Sequence, residues 1–172
     1  MGRLLLIKGE NDSGKSAYAE KIAAKAARER YYIATMIPVT RENRMRIEKH
    51  RRAREGMGFK TLELSYSVGE ADVSPRGAVL LEDVSNLLAN VMFEKGGSAD
   101  EVYRDILSLG ERCGVLIAVT ISGITGSFDE ETEGYIRALD FLNKRLFDAA
   151  DAAVVMKDKK PVYIKGREND IV

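Results

Sequence analysis

The stretch GENDSGKS, Gly9 to Ser16, lies between a short apolar run and an alanine-rich, charged segment. It satisfies G-x-x-x-x-G-K-[ST] in full, a motif with chemical meaning only where a buried strand feeds it and a helix leaves it. RLLLIK (Arg3 to Lys8) reads as that strand, and SAYAEKIAAKAARER as that helix. The glycines let the backbone wrap an anion closely, so that successive N–H groups and the helix N-terminus face phosphates. Among the loop residues Gly9, Glu10, Asn11, Asp12, Ser13, Gly14, Lys15 and Ser16, Lys15 is placed to reach the β- and γ-phosphates. The Ser16 hydroxyl is placed to hold Mg²⁺. Glu10 and Asp12 would repel a bound phosphate unless they point outward or touch the metal or the sugar.

The remaining pattern alternates strands and helices. YYIAT (Tyr31 to Thr35) is the next strand, and Thr40 is placed to cap a helix through about Arg54, stopped by Gly56 and Gly58. FKTLEL (Phe59 to Leu64) reads as an edge strand and GAVLLE (Gly77 to Glu82) as a buried one, followed by a helix through Phe93 that Gly96-Gly97 ends. Ser98 with Glu101 makes a capping box, as does Ser127 with Glu130, the latter opening a long helix to about Ala150. GVLIAVTI (Gly114 to Ile121) is the strongest strand, and AAVVM and PVYIK, separated by KDKK, form a terminal hairpin. Connections this long between strands imply a mostly parallel sheet covered on both faces. The expectation is one α/β nucleotide-binding domain over residues 1–172.

Charge and cysteine content narrow the partners. Acids and bases balance at 27 each, so no global field gathers nucleic acid or an anionic membrane. The single cysteine, Cys113, leads into an apolar run, fits a reducing compartment and reads as buried filler. MGRLLLIKGE holds too short an apolar run for a signal peptide or a spanning helix, so a cytoplasmic location is expected.

Two further sites carry chemistry. The apolar strand AVLLE ends in Glu82 and Asp83; in phosphate-loop proteins such a carboxylate supports Mg²⁺, while a strand-end acid also caps the next helix. The only histidine, His50, sits in RMRIEKHRRAR, where Arg46, His50 and Arg54 at i, i+4 and i+8 share one helix face. Flanking cations oppose protonation of the imidazole, which leaves it a lone pair able to attack phosphorus. The arginines would carry charge developing on phosphoryl oxygens. The other reading of the run is a solvated helix face.

SGKS, YIAT, RIEKHRRAR, TLE, VLLEDVSNLLAN, NKRLFDAAD and a closing hairpin ending in IKG occur in one order along the chain. In that order they resemble the bifunctional adenosylcobinamide kinase / adenosylcobinamide-phosphate guanylyltransferase family of cobalamin biosynthesis. The histidine segment matches the family's R-I-x-x-H-[RK]-x-x-R. The resemblance implies a RecA-like P-loop NTPase fold, a mostly parallel sheet flanked by helices with a C-terminal β-hairpin, assembled as a homotrimer. It implies phosphorylation of adenosylcobinamide by ATP or GTP with Mg²⁺, then transfer of GMP from GTP to the product through a GMP adduct on His50. It further implies that Ala34, Thr35, Arg46, Arg51, Arg52, Ala53, Arg54, Glu63 and Glu82 join the loop in binding nucleotide, with Ser16 and Glu82 at the metal. After VLIAVT the chain departs from the family, reading ISGITGSFDEETEGYIRALDFLNK. The alternatives are a P-loop kinase of another small molecule, or a nucleotide-binding paralogue without guanylyltransferase activity.

Overall fold

Residues 2–172 are described by a computed structural model. Seven strands make one sheet: β1 (Arg3–Gly9), β2 (Arg30–Ala34), β3 (Phe59–Glu63), β4 (Ala78–Glu82), β5 (Val115–Ile121), β6 (Ala152–Lys157) and β7 (Lys160–Lys165). Their order is β3-β2-β4-β5-β1-β6-β7, parallel throughout except for β7, which runs antiparallel to β6. The apolar runs fall inside the sheet because strands covered on both faces must be apolar on both. Along β1, Leu4 and Leu6 enter one core while Leu5 and Ile7 enter the other. Each of these four is fully buried, a burial that stabilises by about 1.5–3 kcal/mol per side chain.

Helices α3 (Val84–Lys95), α4 (Ala99–Arg112) and α5 (Glu130–Ala149) close one face, through residues such as Leu87, Ile106 and Leu142. Helix α1 (Lys15–Ala26) closes the other with Tyr18, Ala19, Ile22 and Ala23. Helix α2 (Arg41–Ala53) contributes no buried residue to either core. Thr40 caps it as expected, its side chain accepting from Asn43 N–H at 3.0 Å.

Two helix boundaries differ from the sequence reading. Helix α1 stops at Ala26, because Arg30 begins β2 and turns its guanidinium back onto the carbonyls of Ala24 (3.3 Å) and Ala27 (2.9 Å). Those bonds satisfy acceptors that a longer helix would have used itself. Helix α5 is capped by Asp129, not Ser127: its carboxylate accepts from Thr132 N–H at 2.7 Å, and an ionised acceptor at a helix N-terminus outcompetes a hydroxyl two residues earlier. The closing hairpin turns on Asp158 and Lys159 alone, both at positive φ (49° and 60°), so KDKK supplies strand ends as well as the turn.

Candidate functional site

The loop from Gly9 to Ser16 leaves the carboxyl end of β1, a strand flanked by β5 and β6. Gly14, at φ 88°, caps α1 and aims the first amides of the helix outward. A side chain at Gly9 would crowd the loop, since its Cβ would stand 2.6 Å from Ser13 Oγ. Lys15 turns its ammonium onto the carbonyl of Glu10 at 2.5 Å. Burial lowers the Lys15 pKa, and the negative charges of Asp83, Glu82 and Asp12 oppose that shift.

Register sets the next layer. Glu63, Ala34 and Glu82 are paired across β3, β2 and β4, and Thr61 pairs with Tyr32 two residues back, on the same face. Paired residues of parallel strands project to the same face, here the face that α1 covers only in part. A cleft of about 460 Å³ opens there between the phosphate loop, the sheet and α2. Glu82 and Asp83 divide the two roles expected of a strand-end acid. The Glu82 carboxylate accepts from Ser16 Oγ. Asp83 caps α3, accepting from Asn86 N–H at 2.7 Å and Ser85 Oγ at 2.6 Å.

Helix α2 lies over this cleft. His50 Nδ1 stands 3.8 Å from Glu82 Oε1, an anion beside the imidazole that the basic run gave no reason to expect. Arg54, 7% exposed, lays its guanidinium on the Tyr32 ring at 3.3 Å from the centroid. Arg46, Arg51 and Ala53 also line the cleft, and Arg51 pairs with Glu48 (3.7 Å) and Glu63 (4.0 Å).

Four residues expected at the nucleotide do not line this cleft. Arg52, two positions and therefore about 200° round the helix from His50, faces outward and pairs with Glu48 at 3.2 Å. Thr35 is fully buried beneath the site: its hydroxyl donates toward the carbonyls of Glu82 and Asp83, each at 3.1 Å, and accepts from Asp83 N–H at 3.0 Å. Glu10 directs its carboxylate toward Gly123, where a Cβ would sit 3.3 Å from Oε1. Gly9 contributes backbone only, its carbonyl accepting from Ser122 N–H at 3.2 Å. Asn11, Asp12, Ser13, Gly14, Lys15, Ser16, Ala34, Glu63 and Glu82 all line the cleft.

Among the lining residues not anticipated are Glu20, Tyr32 and Lys159. Glu20 lies four residues after Ser16, hence on the same face of α1, and only its charge made it read as solvated. Tyr32 and Lys159 come from a strand and from the hairpin turn; Lys159 backbone lies 3.5 Å from where a Cβ on Gly14 would be. No spacing in the sequence brings that turn to the phosphate loop.

The donor set fits Mg²⁺. Ser16 Oγ meets the Glu82 carboxylate, and Glu82 Oε2 is buried without a protein partner. No group of three or more His, Cys, Asp or Glu side chains forms a metal cage among the described residues. Magnesium is usually held by one or two protein oxygens, with water and phosphate supplying the rest.

A phosphate loop at the end of an interior parallel strand, answered by a carboxylate from a strand two positions away, is the architecture of the P-loop NTPase fold. The fold is also that of a prototypical ATPase from the type III secretion system of pathogenic bacteria, at TM-score 0.57 and 10% identity, over 100% of this chain and 59% of that one. Residues 5–164 match the family model described as CobU, cobinamide kinase / cobinamide phosphate guanyltransferase, and the chain belongs to that family. It is 35% identical over 100 residues to the bifunctional adenosylcobalamin biosynthesis protein CobU of Escherichia coli K12, covering 56% of this chain and 54% of the relative. To the Salmonella typhimurium LT2 protein of the same name it is 32% identical over 109 residues, covering 62% and 59%. The chain thus spans somewhat over half the length of the curated relatives it matches. No helix among the described residues is long and apolar enough to cross a membrane.

Proposed function

We propose that the chain is a cytoplasmic, homotrimeric transferase of cobalamin biosynthesis, built as a single nucleotide-binding domain. It phosphorylates the aminopropanol hydroxyl of adenosylcobinamide with ATP or GTP, then transfers GMP from GTP to the resulting phosphate. The observation that carries this reading is His50, held over the phosphate loop with Nδ1 3.8 Å from the Glu82 carboxylate that also receives Ser16.

A carboxylate on the Nδ1 side directs the Nε2 lone pair into the cleft and stabilises the cation that forms when Nε2 attacks. In the guanylyl step Nε2 bonds to the α-phosphorus, the bridging P–O bond to the β-phosphate breaks, and pyrophosphate leaves with the electron pair. An oxygen of cobinamide phosphate then attacks the same phosphorus, the P–N bond breaks, and the imidazole is restored. Arg46 and Arg51 face the charge that builds on the phosphoryl oxygens, and Lys15 swings from the Glu10 carbonyl to the terminal phosphates. Ser16 and Glu82 would hold Mg²⁺, which would supply charge neutralisation at those phosphates.

Incubation with α-labelled GTP and Mg²⁺ tests the reading. Label is expected on the protein, lost in mild acid and retained in base. His50→Asn is expected to abolish labelling while sparing phosphorylation of the corrinoid, which needs positioning and charge but no covalent adduct. Protein that binds GTP yet takes no label, even with cobinamide phosphate present, would remove His50 from the chemistry.

A further inference from the structure

Five buried side-chain polar atoms among the described residues have no hydrogen-bond partner: Ser13 Oγ, Glu20 Oε1, Arg54 Nε and Nη1, and Glu82 Oε2. All four residues line the one cleft. A buried group without a partner costs about 1–3 kcal/mol, more when charged, so this wall is built for something that completes it. Ser13 and Glu82 belong to the phosphate level. Glu20 and Arg54 do not.

Glu20 lies one helical turn beyond Ser16 on α1, and Arg54 one turn beyond His50 on α2. Each step carries the side chain about 6 Å along its helix from the phosphate level. Both residues are nine-tenths buried, at 6% and 7% exposure, and they make no ion pair with each other. Arg54 is further fixed by its stack on Tyr32, which presets the plane of its N–H groups. The second level of the cleft therefore offers a carboxylate that accepts and a guanidinium that donates, neither satisfied by the other.

We propose that Glu20 and Arg54 read the base edge of the nucleotide and select guanine. The Glu20 carboxylate accepts from the guanine N1–H and exocyclic N2–H, and Arg54 donates to O6. Guanine places two donors beside one acceptor, and that edge matches the pair. Adenine offers the carboxylate one exocyclic donor beside the lone pair of N1, so one carboxylate oxygen would face an acceptor. Hypoxanthine keeps N1–H and O6 but lacks the amino group. The inference rests on the nucleotide-binding reading of the cleft and adds its specificity.

Calorimetric titration of the full chain with GDP, IDP and ADP in the presence of Mg²⁺ separates the two. The wild-type protein is expected to bind GDP about tenfold or more tightly than IDP, the scale of one hydrogen bond to a charged acceptor, and to bind ADP more weakly still. Glu20→Gln is expected to bring the GDP/IDP ratio to within about twofold, with IDP still bound. Arg54→Lys is expected to weaken GDP and IDP alike and leave their ratio unchanged, because both bases carry O6. Equal wild-type affinities for GDP and IDP, or an undiminished ratio in folded Glu20→Gln protein, would overturn the assignment while nucleotide binding stands. Wild-type protein that binds none of the three would overturn the nucleotide reading itself, and this one with it. The wild-type comparison holds whether or not a variant folds.

Discussion

Glu20 is a carboxyl group enclosed without a partner, and its titration should be visible in the stability of the unliganded protein. Burial pushes its pKa up to about 7 from an ordinary 4.5; the charge of Glu82 adds to the shift and the Arg54 guanidinium opposes it. Between those two values the folded chain holds a proton that the unfolded chain has released, so this group makes stability fall as pH rises through the window. Above pH 7 the penalty is fully present, on the order of 3 kcal/mol at 1.36 kcal/mol per unit. Glu20→Gln should therefore raise the melting temperature at pH 8 by several degrees and change it little near pH 4.5. An equal change at both values would show that the carboxyl titrates normally. Lys15 makes the opposite case, since its bond to the exposed loop carbonyl of Glu10 holds no core together. Lys15→Ala is expected to lose triphosphate binding, measured by titration, with its melting curve nearly superimposed on that of the parent.

At the scale of elements, one side chain fastens three of them. Asn90, on α3, donates to the carbonyls of Thr35 (2.8 Å) and Ser65 (2.9 Å), the residues following β2 and lying just beyond β3. Asn90→Ala leaves both carbonyls without that donor and should cost about 1–3 kcal/mol in denaturant titration. A midpoint unchanged from wild type would mean that water replaces it freely. The strands were legible because uninterrupted runs such as Leu4 to Ile7 have few alternatives to a doubly covered sheet. Helix ends were less so: the stop after Ala26 depends on a guanidinium that returns from β2, and the start at Glu130 on which of two capping residues wins. The site divides along the same line. Gly9 to Ser16 could be read locally, whereas the meeting of His50 with Glu82 depends on the chain folding α2 back over a strand more than 30 residues further along. Glu20 was readable in principle from its i+4 relation to Ser16, but a charged residue on a helix resembles a solvated one until its neighbours are known.

For the whole molecule, large apolar side chains are exposed on several elements, Phe93 on α3 and Phe141 on α5 among them. Met45 on α2 and Val39 just before it are 64% and 69% exposed, and Val162 and Ile164 lie along the unpaired edge of β7. These residues are where copies of the chain are expected to meet, and sedimentation equilibrium at micromolar concentration should return a species of three chain masses. A clean monomer would remove the homotrimer. Helix α2 itself has no buried residue between Arg41 and Ala53 and is tied down chiefly through Arg54 at its C-terminal end. Its amide protons should accordingly exchange with solvent by local opening, at a free energy well below that of the β1 and β5 amides, which open only with the global fold. A nucleotide that bridges the phosphate loop to His50 and Arg54 would lend α2 the protection its own packing does not provide. Hydrogen exchange followed by mass spectrometry should then show slowing concentrated in residues 41–54 on adding GDP, with the central strands unchanged. Part of the free energy of binding would thus be spent completing the protein's own structure, so that the helix bearing His50 would become rigid only once a nucleotide is in place beneath it.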